Sequence, residues 1–155
     1  MVTRRELMAC ASVAVLAASV ALPTIGATAM KTPTIPVTLF KNPGSVCCDD
    51  YAAYLGQHGF SVSVKESDRL ATISAEAGIP SRLQGCHTAF IDGYVIDGHV
   101  PVEAIEKLLA DGSRLKGLTV PGMPPGSPGM PGDKQEPLTV YAIDRDGHSH
   151  VYMKL

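Results

Sequence analysis

Between Val37 and Leu109 the spacing of apolar residues switches repeatedly between strand-like and helix-like periods, and that switching fixes the order of elements. Val37 to Phe40 reads as a short buried strand, ended by the turn-forming residues Asn42-Pro43-Gly44. From Cys48 to His58, Tyr51, Leu55 and the neighbouring alanines fall at helical spacing, and Gly59 supplies a stop. Phe60 to Val64 alternates apolar with polar residues, as a second strand does. Asp68 is expected to cap a helix carrying Leu70, Ile73 and Ala77, closed by Gly78 and Pro80. Thr88 to Ile91 and Tyr94 to Ile96 read as strands joined by a tight Asp92-Gly93 turn. Pro101, placed at a first helical position, opens a last helix through Ile105, Leu108 and Leu109.

This order is the α/β plan of thioredoxin-like domains, a central mixed sheet flanked by helices. Crossover helices imply parallel pairing of the first strands, and the Asp92-Gly93 turn adds an antiparallel pair. Val120 to Gly132 then breaks all periodicity, being Pro, Gly and Met with few exceptions, and can be neither helix nor central strand. Two alternating runs follow, Leu138 to Ile143 and His148 to Met153, joined by Asp144-Arg145-Asp146-Gly147. They read as a C-terminal β-hairpin, with the Pro/Gly/Met loop free to lie across the body of the domain.

The N-terminus reads as an address. Arg4 and Arg5 precede an apolar stretch from Met8 to Leu22, and Ala27-Thr28-Ala29 is a small-x-small cleavage pattern. Residues 1–29 are therefore expected to be a signal peptide cut before Met30, with Thr3-Arg4-Arg5-Glu6-Leu7 resembling a twin-arginine signal. The stretch is short for a membrane span, and no membrane association is expected after its removal. Residues 30–36 read as a flexible leader and 37–155 as one domain, about 125 residues of mature chain being enough for a single core. A formal charge of −2 without a basic block excludes tracking of a nucleic-acid backbone.

Cys10 leaves with the signal, so the mature chain keeps Cys47, Cys48 and Cys86. An odd count in an oxidising compartment cannot be a closed disulfide framework. Cys47 and Cys48 lie on the loop after the first strand, where ligands collect beyond strand ends and helix N-termini point. Thioredoxin-like proteins carry Cys-x-x-Cys at that spot. Here the four positions are Ser45-Val46-Cys47-Cys48, and a serine cannot form a mixed disulfide. Asp49 and Asp50 are expected to oppose thiolate formation, a balance that a bound cation reverses. Cys86-His87 occupies the place before the third strand and is expected to face Cys47 and Cys48.

Cys47, Cys48, Cys86 and His87 are therefore the candidate metal ligands. Three Cys and one His is a legitimate zinc set, but thiolate with thioether selects Cu(I). Met123 and Met130, in a loop with no core to fill, are candidate thioether ligands. Copper as Cu(I) is favoured and zinc is the lesser alternative. His99 reads either as a group supporting the site or as a residue leading into the last helix. His148 and His150 read as exposed strand residues, and His58 as a helix C-terminal histidine. A competing reading is a thiol-disulfide oxidoreductase using Cys48 and Cys86; no catalytic residue is otherwise assigned.

Four separated segments carry a resemblance. They are Asn42-Pro43-Gly44-Ser45-Val46-Cys47-Cys48, Leu83-Gln84-Gly85-Cys86-His87-Thr88-Ala89, Asp92-Gly93-Tyr94-Val95-Ile96-Asp97-Gly98-His99-Val100-Pro101, and the Val120 to Met130 run. Together they resemble the CopG-like copper-resistance family, small exported metal-binding proteins. The resemblance implies a thioredoxin-like fold, copper binding and a part in periplasmic copper tolerance, with other periplasmic copper-handling proteins as partners and Cu(I)/Cu(II) chemistry at the site. The family's Cys-x-Cys-Cys has Ser45 in its first position here, Cys47 and Cys48 match the last two, and Cys86-His87 matches its Cys-His.

Overall fold

A computed structural model describes residues 34–155, so the expected signal peptide and most of the leader lie outside the described residues. The elements run β1 (Ile35–Lys41), α1 (Val46–Gln57), β2 (Phe60–Glu66), α2 (Leu70–Glu76), a 3-10 turn (Ser81–Leu83), β3 (His87–Ile91), β4 (Tyr94–Asp97), α3 (Val102–Asp111), β5 (Gly117–Thr119), β6 (Thr139–Ile143) and β7 (Ser149–Lys154). All seven strands form one sheet in the order β2-β1-β3-β4-β5-β6-β7. The thioredoxin-like α/β plan read from the sequence is therefore the fold. Among the described residues no helix is long and apolar enough to cross a membrane.

β1 pairs parallel with β2 across the α1 crossover, as expected. β3 instead runs antiparallel to β1, with Lys41 opposite His87. β4 returns antiparallel to β3 through the Asp92-Gly93 turn. These pairings bring the end of β1, the start of β3 and the end of β4 to one end of the sheet.

The principal core follows from the two periodicities. Val37 and Leu39 point to one face of β1, and Cys48, Tyr51 and Leu55 form the buried stripe of α1. Val102, Ala104, Ile105 and Leu108 do the same for α3 and join the core cluster with Val37, Leu39, Tyr51 and Leu55. A smaller cluster of Ala77, Ile79, Leu83, Val95 and Ile143 completes the packing.

Three details depart from the sequence reading. Asp68 does not cap α2; Arg69 occupies that position without a side-chain cap, and the Ser67 hydroxyl accepts the Arg69 N–H (3.1 Å). Pro101 sits one residue before α3 in extended conformation. The free N–H of Val102 that opens the helix is met by the Tyr54 hydroxyl (2.9 Å). The three-residue β5, absent from the sequence reading, joins the β6–β7 hairpin to β4.

Candidate metal centre

The site begins with a lysine that has no exposed surface to spare. Lys41, the last residue of β1, is buried, and its Nζ donates to the Ser45 carbonyl (3.3 Å) and to Asp49 Oδ2 (2.9 Å) while pairing with Glu66 Oε1 (3.2 Å). This fork ties the 42–45 loop to the first turn of α1. Ser45 is the N-cap residue of α1, yet its side chain makes no cap hydrogen bond. The hydroxyl turns instead to the cysteines, 3.1 Å from Cys48 Sγ and 3.6 Å from Cys47 Sγ.

The second half of the site is built by two glycines in backbone contact. Gly85 precedes Cys86 and Gly98 precedes His99, and a Cβ on either would collide with backbone: Gly98 Cα for Gly85, the Val120 carbonyl oxygen for Gly98. Gly98 also has φ of +70°, a left-handed conformation natural to glycine. The approach is bolted by Asp97, whose Oδ1 accepts the Gly85 N–H and whose Oδ2 accepts the Thr88 hydroxyl (2.8 Å). Ser74 adds a 2.6 Å contact to Thr88 from the other side of the network.

Asp97 is buried, and burial raises its pKa despite these donors. A carboxyl with a raised folded-state pKa contributes stability below its unfolded value and loses it as pH rises through the folded one. Asp97→Ala is expected to lower unfolding stability by more than about 2 kcal/mol, since it strands two buried donors. Asp97→Asn should cost less, because its amide oxygen still accepts the Gly85 N–H. Relative to that variant, the parent should lose stability as pH rises from about 4, which denaturant melts at several pH values would read. A flat difference would contradict the assignment.

The four groups expected to converge do so. Cys86 Sγ lies 3.5 Å from Cys48 Sγ, 4.0 Å from Cys47 Sγ and 3.5 Å from His87 Nδ1. His99, left in the sequence reading between a supporting and a helix-leading role, is nearer still: its Nε2 is 2.9 Å from Cys86 Sγ. Two triads result, Cys47-Cys86-His99 and Cys48-Cys86-His87, each with its candidate ligand atoms within 4.8 Å of one another. Cys86 belongs to both. All three cysteines are free thiols.

The electrostatics differ from expectation at Cys48. The neighbouring aspartates were expected to oppose ionisation, yet Cys48 sits well below the ordinary thiol range, at about 4. The first cause is its contact with Cys86; His87 and the Ser45 hydroxyl add to it, and burial opposes it. Asp49 exerts little repulsion because Lys41 holds it. Cys86 is pushed the other way by the same contact, by burial and by the charge on Cys48. The pair therefore gives up one proton readily and holds the other until a cation replaces it. Burial lowers the pKa of His99, favouring the neutral imidazole that a metal requires.

A metal ion fits this donor set. His87 is fully buried, and its Nε2 has no hydrogen-bond partner among the described residues. The nitrogen it turns to the cysteines is Nδ1, 3.5 Å from Cys86 Sγ, so each histidine sets a ring nitrogen beside the shared sulfur. Tyr51 lies 4.4 Å from the His87 ring and 5.3 Å from the His99 ring, with its hydroxyl anchored on the Val100 carbonyl (2.8 Å). The donors present, thiolate and imidazole, are those of soft and borderline metals.

The methionines separate. Met130 lines an open depression of about 620 Å³ with Val46, Cys47, Asp50, Gly129 and Pro131. Met123 is 54 % exposed and does not line it. Of the remaining histidines, His58 is exposed at the end of α1 and its Nδ1 donates to the Tyr54 carbonyl (2.8 Å), and His150 is exposed on β7 beside Asp144. His148, read as a strand residue, instead lies just before β7, exposed beside Asp146.

Known proteins resemble both the site-bearing segment and the whole domain. The family described as protein of unknown function DUF411 matches residues 83–130, the stretch from Leu83 through Met130. No curated protein matches the chain. A solved structure of a copper resistance protein, copG in its form 2, superposes with a TM-score of 0.74 at 33% identity, covering 79% of this chain and 98% of that one. Form 1 gives 0.73 at 34% identity, covering 80% and 98%. With identity and coverage of that order across nearly the whole of the solved chain, this chain belongs to the CopG-like copper-resistance family.

Proposed function

We propose that this protein binds copper, as Cu(I), in an exported compartment, and thereby sequesters it or passes it to other copper-handling proteins. The observation that carries this is the convergence of three thiols and two imidazoles around the half-buried Cys86. Cys47, Cys48, Cys86 and His87 would be ligands with His99, and Met130, which lines the same depression as Cys47, would add a thioether. Met123, being exposed, would serve as an outer sulfur that meets the ion first. The solved relatives are named as copper resistance proteins, and the proposed role is copper tolerance in the periplasm after cleavage near Ala29.

Thiolate together with a thioether favours Cu(I) over zinc, whose usual protein ligands do not include methionine sulfur. Burial also argues against disulfide exchange as the function. Cys48 has no exposed surface, and the half-exposed Cys86 is pushed away from the thiolate form that attack on a disulfide needs. Anaerobic loading of reduced protein with Cu(I), then desalting against a mild Cu(I) chelator, tests the reading. At least one retained equivalent is expected, and loss of all copper to the chelator would contradict it.

A further inference from the structure

Val120 to Gly132 does not hang from the domain. Gly122 forms a parallel bridge with Gly85, beside the Cys86 loop. Gly129 (φ +77°) seats so closely on the first turn of α1 that a Cβ there would lie 2.7 Å from the Tyr51 nitrogen and 3.1 Å from the Cys47 carbonyl oxygen. Between these points the segment braces itself, since the buried Ser127 donates its hydroxyl proton to the Pro124 carbonyl (2.7 Å) and accepts the Met130 N–H at its own carbonyl (2.9 Å). Its one polar contact with a candidate ligand is at Pro128, whose carbonyl oxygen is 2.6 Å from His99 Nδ1.

A carbonyl oxygen can only accept, so His99 Nδ1 carries the proton. A neutral imidazole has one N–H, which leaves Nε2 as a bare lone pair facing Cys86 Sγ at 2.9 Å. The opposite tautomer would put a proton on the atom that must ligate. His87 has no such restraint: its Nδ1 meets only the Cys86 sulfur and its Nε2 meets nothing. Of the two imidazoles, one is locked and one is not.

We propose that the Pro128 carbonyl is the positioning contact that makes His99 an Nε2 ligand, so that the Pro/Gly/Met segment is a working part of the metal centre. The proposal rests on the copper-binding reading for the identity of the ion. It does not rest on it for the tautomer. A metal at Nε2 takes the place of the Cys86 thiol proton, while the Nδ1 proton stays on His99, donated to the Pro128 carbonyl. Outer contacts of this kind change metal affinity by about ten- to a hundredfold when removed.

The test uses reduced, metal-free protein labelled with 15N-histidine, in which two-bond 1H–15N spectra report the protonated nitrogen of each ring. His99→Gln assigns the His99 signal. The parent should show Nδ1–H at His99. Gly129→Ala, whose Cβ drives the segment off α1, should mix the His99 tautomers and lower Cu(I) affinity about ten- to a hundredfold, leaving the His87 tautomer unchanged. Gly132→Ala carries similar backbone strain at φ +90°, but its Cβ meets only Pro125 Cβ at 3.5 Å. It should alter neither readout. An Nε2–H signal at His99 in the parent overturns the proposal without any variant. Equal affinity losses in the two glycine variants, with no change of tautomer, also overturn it. A parent that shows Nδ1–H yet binds no Cu(I) contradicts the copper reading and not the hold of Pro128 on the ring.

Discussion

Cys86→Ser is expected to weaken Cu(I) binding by more than about a hundredfold, beyond the range for loss of an outer-shell partner. Cys86 is the single residue shared by both triads, and its sulfur lies within 4.0 Å of Cys47, Cys48, His87 and His99 atoms. Serine keeps the shape but replaces a soft, ionisable sulfur with a hydroxyl that stays protonated at neutral pH. Cys47→Ser removes a ligand from one triad and leaves Cys48, Cys86 and His87 intact, so it should cost less. Competition against a chromophoric Cu(I) chelator under anaerobic conditions ranks the variants. An affinity for Cys86→Ser within a few fold of the parent would mean that the shared sulfur is not a ligand.

Gly98→Ala should produce the largest loss of fold stability, about 3 kcal/mol or more. Two costs add. A left-handed backbone with a Cβ costs about 1–2 kcal/mol, and overpacking against fixed atoms about 1–3 kcal/mol. The atom in the way is the Val120 carbonyl oxygen, and it has little room to retreat because the Val120 N–H is held by the Asp97 carbonyl (3.0 Å). Gly98 cannot retreat either, since its own N–H donates to the His87 carbonyl (2.9 Å). For a domain of this size the melting temperature should fall by more than about 10 °C. Gly147→Ala has a similar φ at a hairpin tip with nothing within 4 Å, so it should show only the conformational part. Equal melting temperatures for the two variants would contradict the close approach of Gly98 to the Val120 carbonyl and to Gly85.

That approach explains why part of the centre was legible in the sequence and part was not. The strand–helix order, read from Tyr51 and Leu55 on one face and Val37 and Leu39 on another, located Cys47, Cys48, Cys86 and His87 at one sheet end. His99 was undervalued because its nearness to Cys86 depends on two glycines without side chains meeting across β3 and β4. The repeated pattern of glycine before a candidate ligand, in Gly85-Cys86 and Gly98-His99, was the available signal. The ionisation of Cys48 was misjudged for a related reason. Asp49 looks repulsive in sequence, and its partner Lys41 stands eight residues earlier, at the end of another element.

The same limit applies to the fold. β5 escaped notice because Gly117, Leu118 and Thr119 are all buried and too few to show alternation. Its glycine lies against the Val95 carbonyl with no room for a Cβ, a requirement that only the paired strand reveals. Without β5, the pairing of the β6–β7 hairpin with the rest of the sheet went unread. With it, the hairpin extends the sheet and fixes the far end of the Pro/Gly/Met segment.

The most direct test of the account is copper K-edge absorption on protein loaded with Cu(I) without oxygen. The account predicts a Cu(I) edge, a first shell dominated by sulfur, and outer-shell scattering characteristic of imidazole. Sulfur scattering should fall in Cys86→Ser. A first shell of oxygen and nitrogen alone would place copper on the surface histidines and carboxylates and contradict the convergent site.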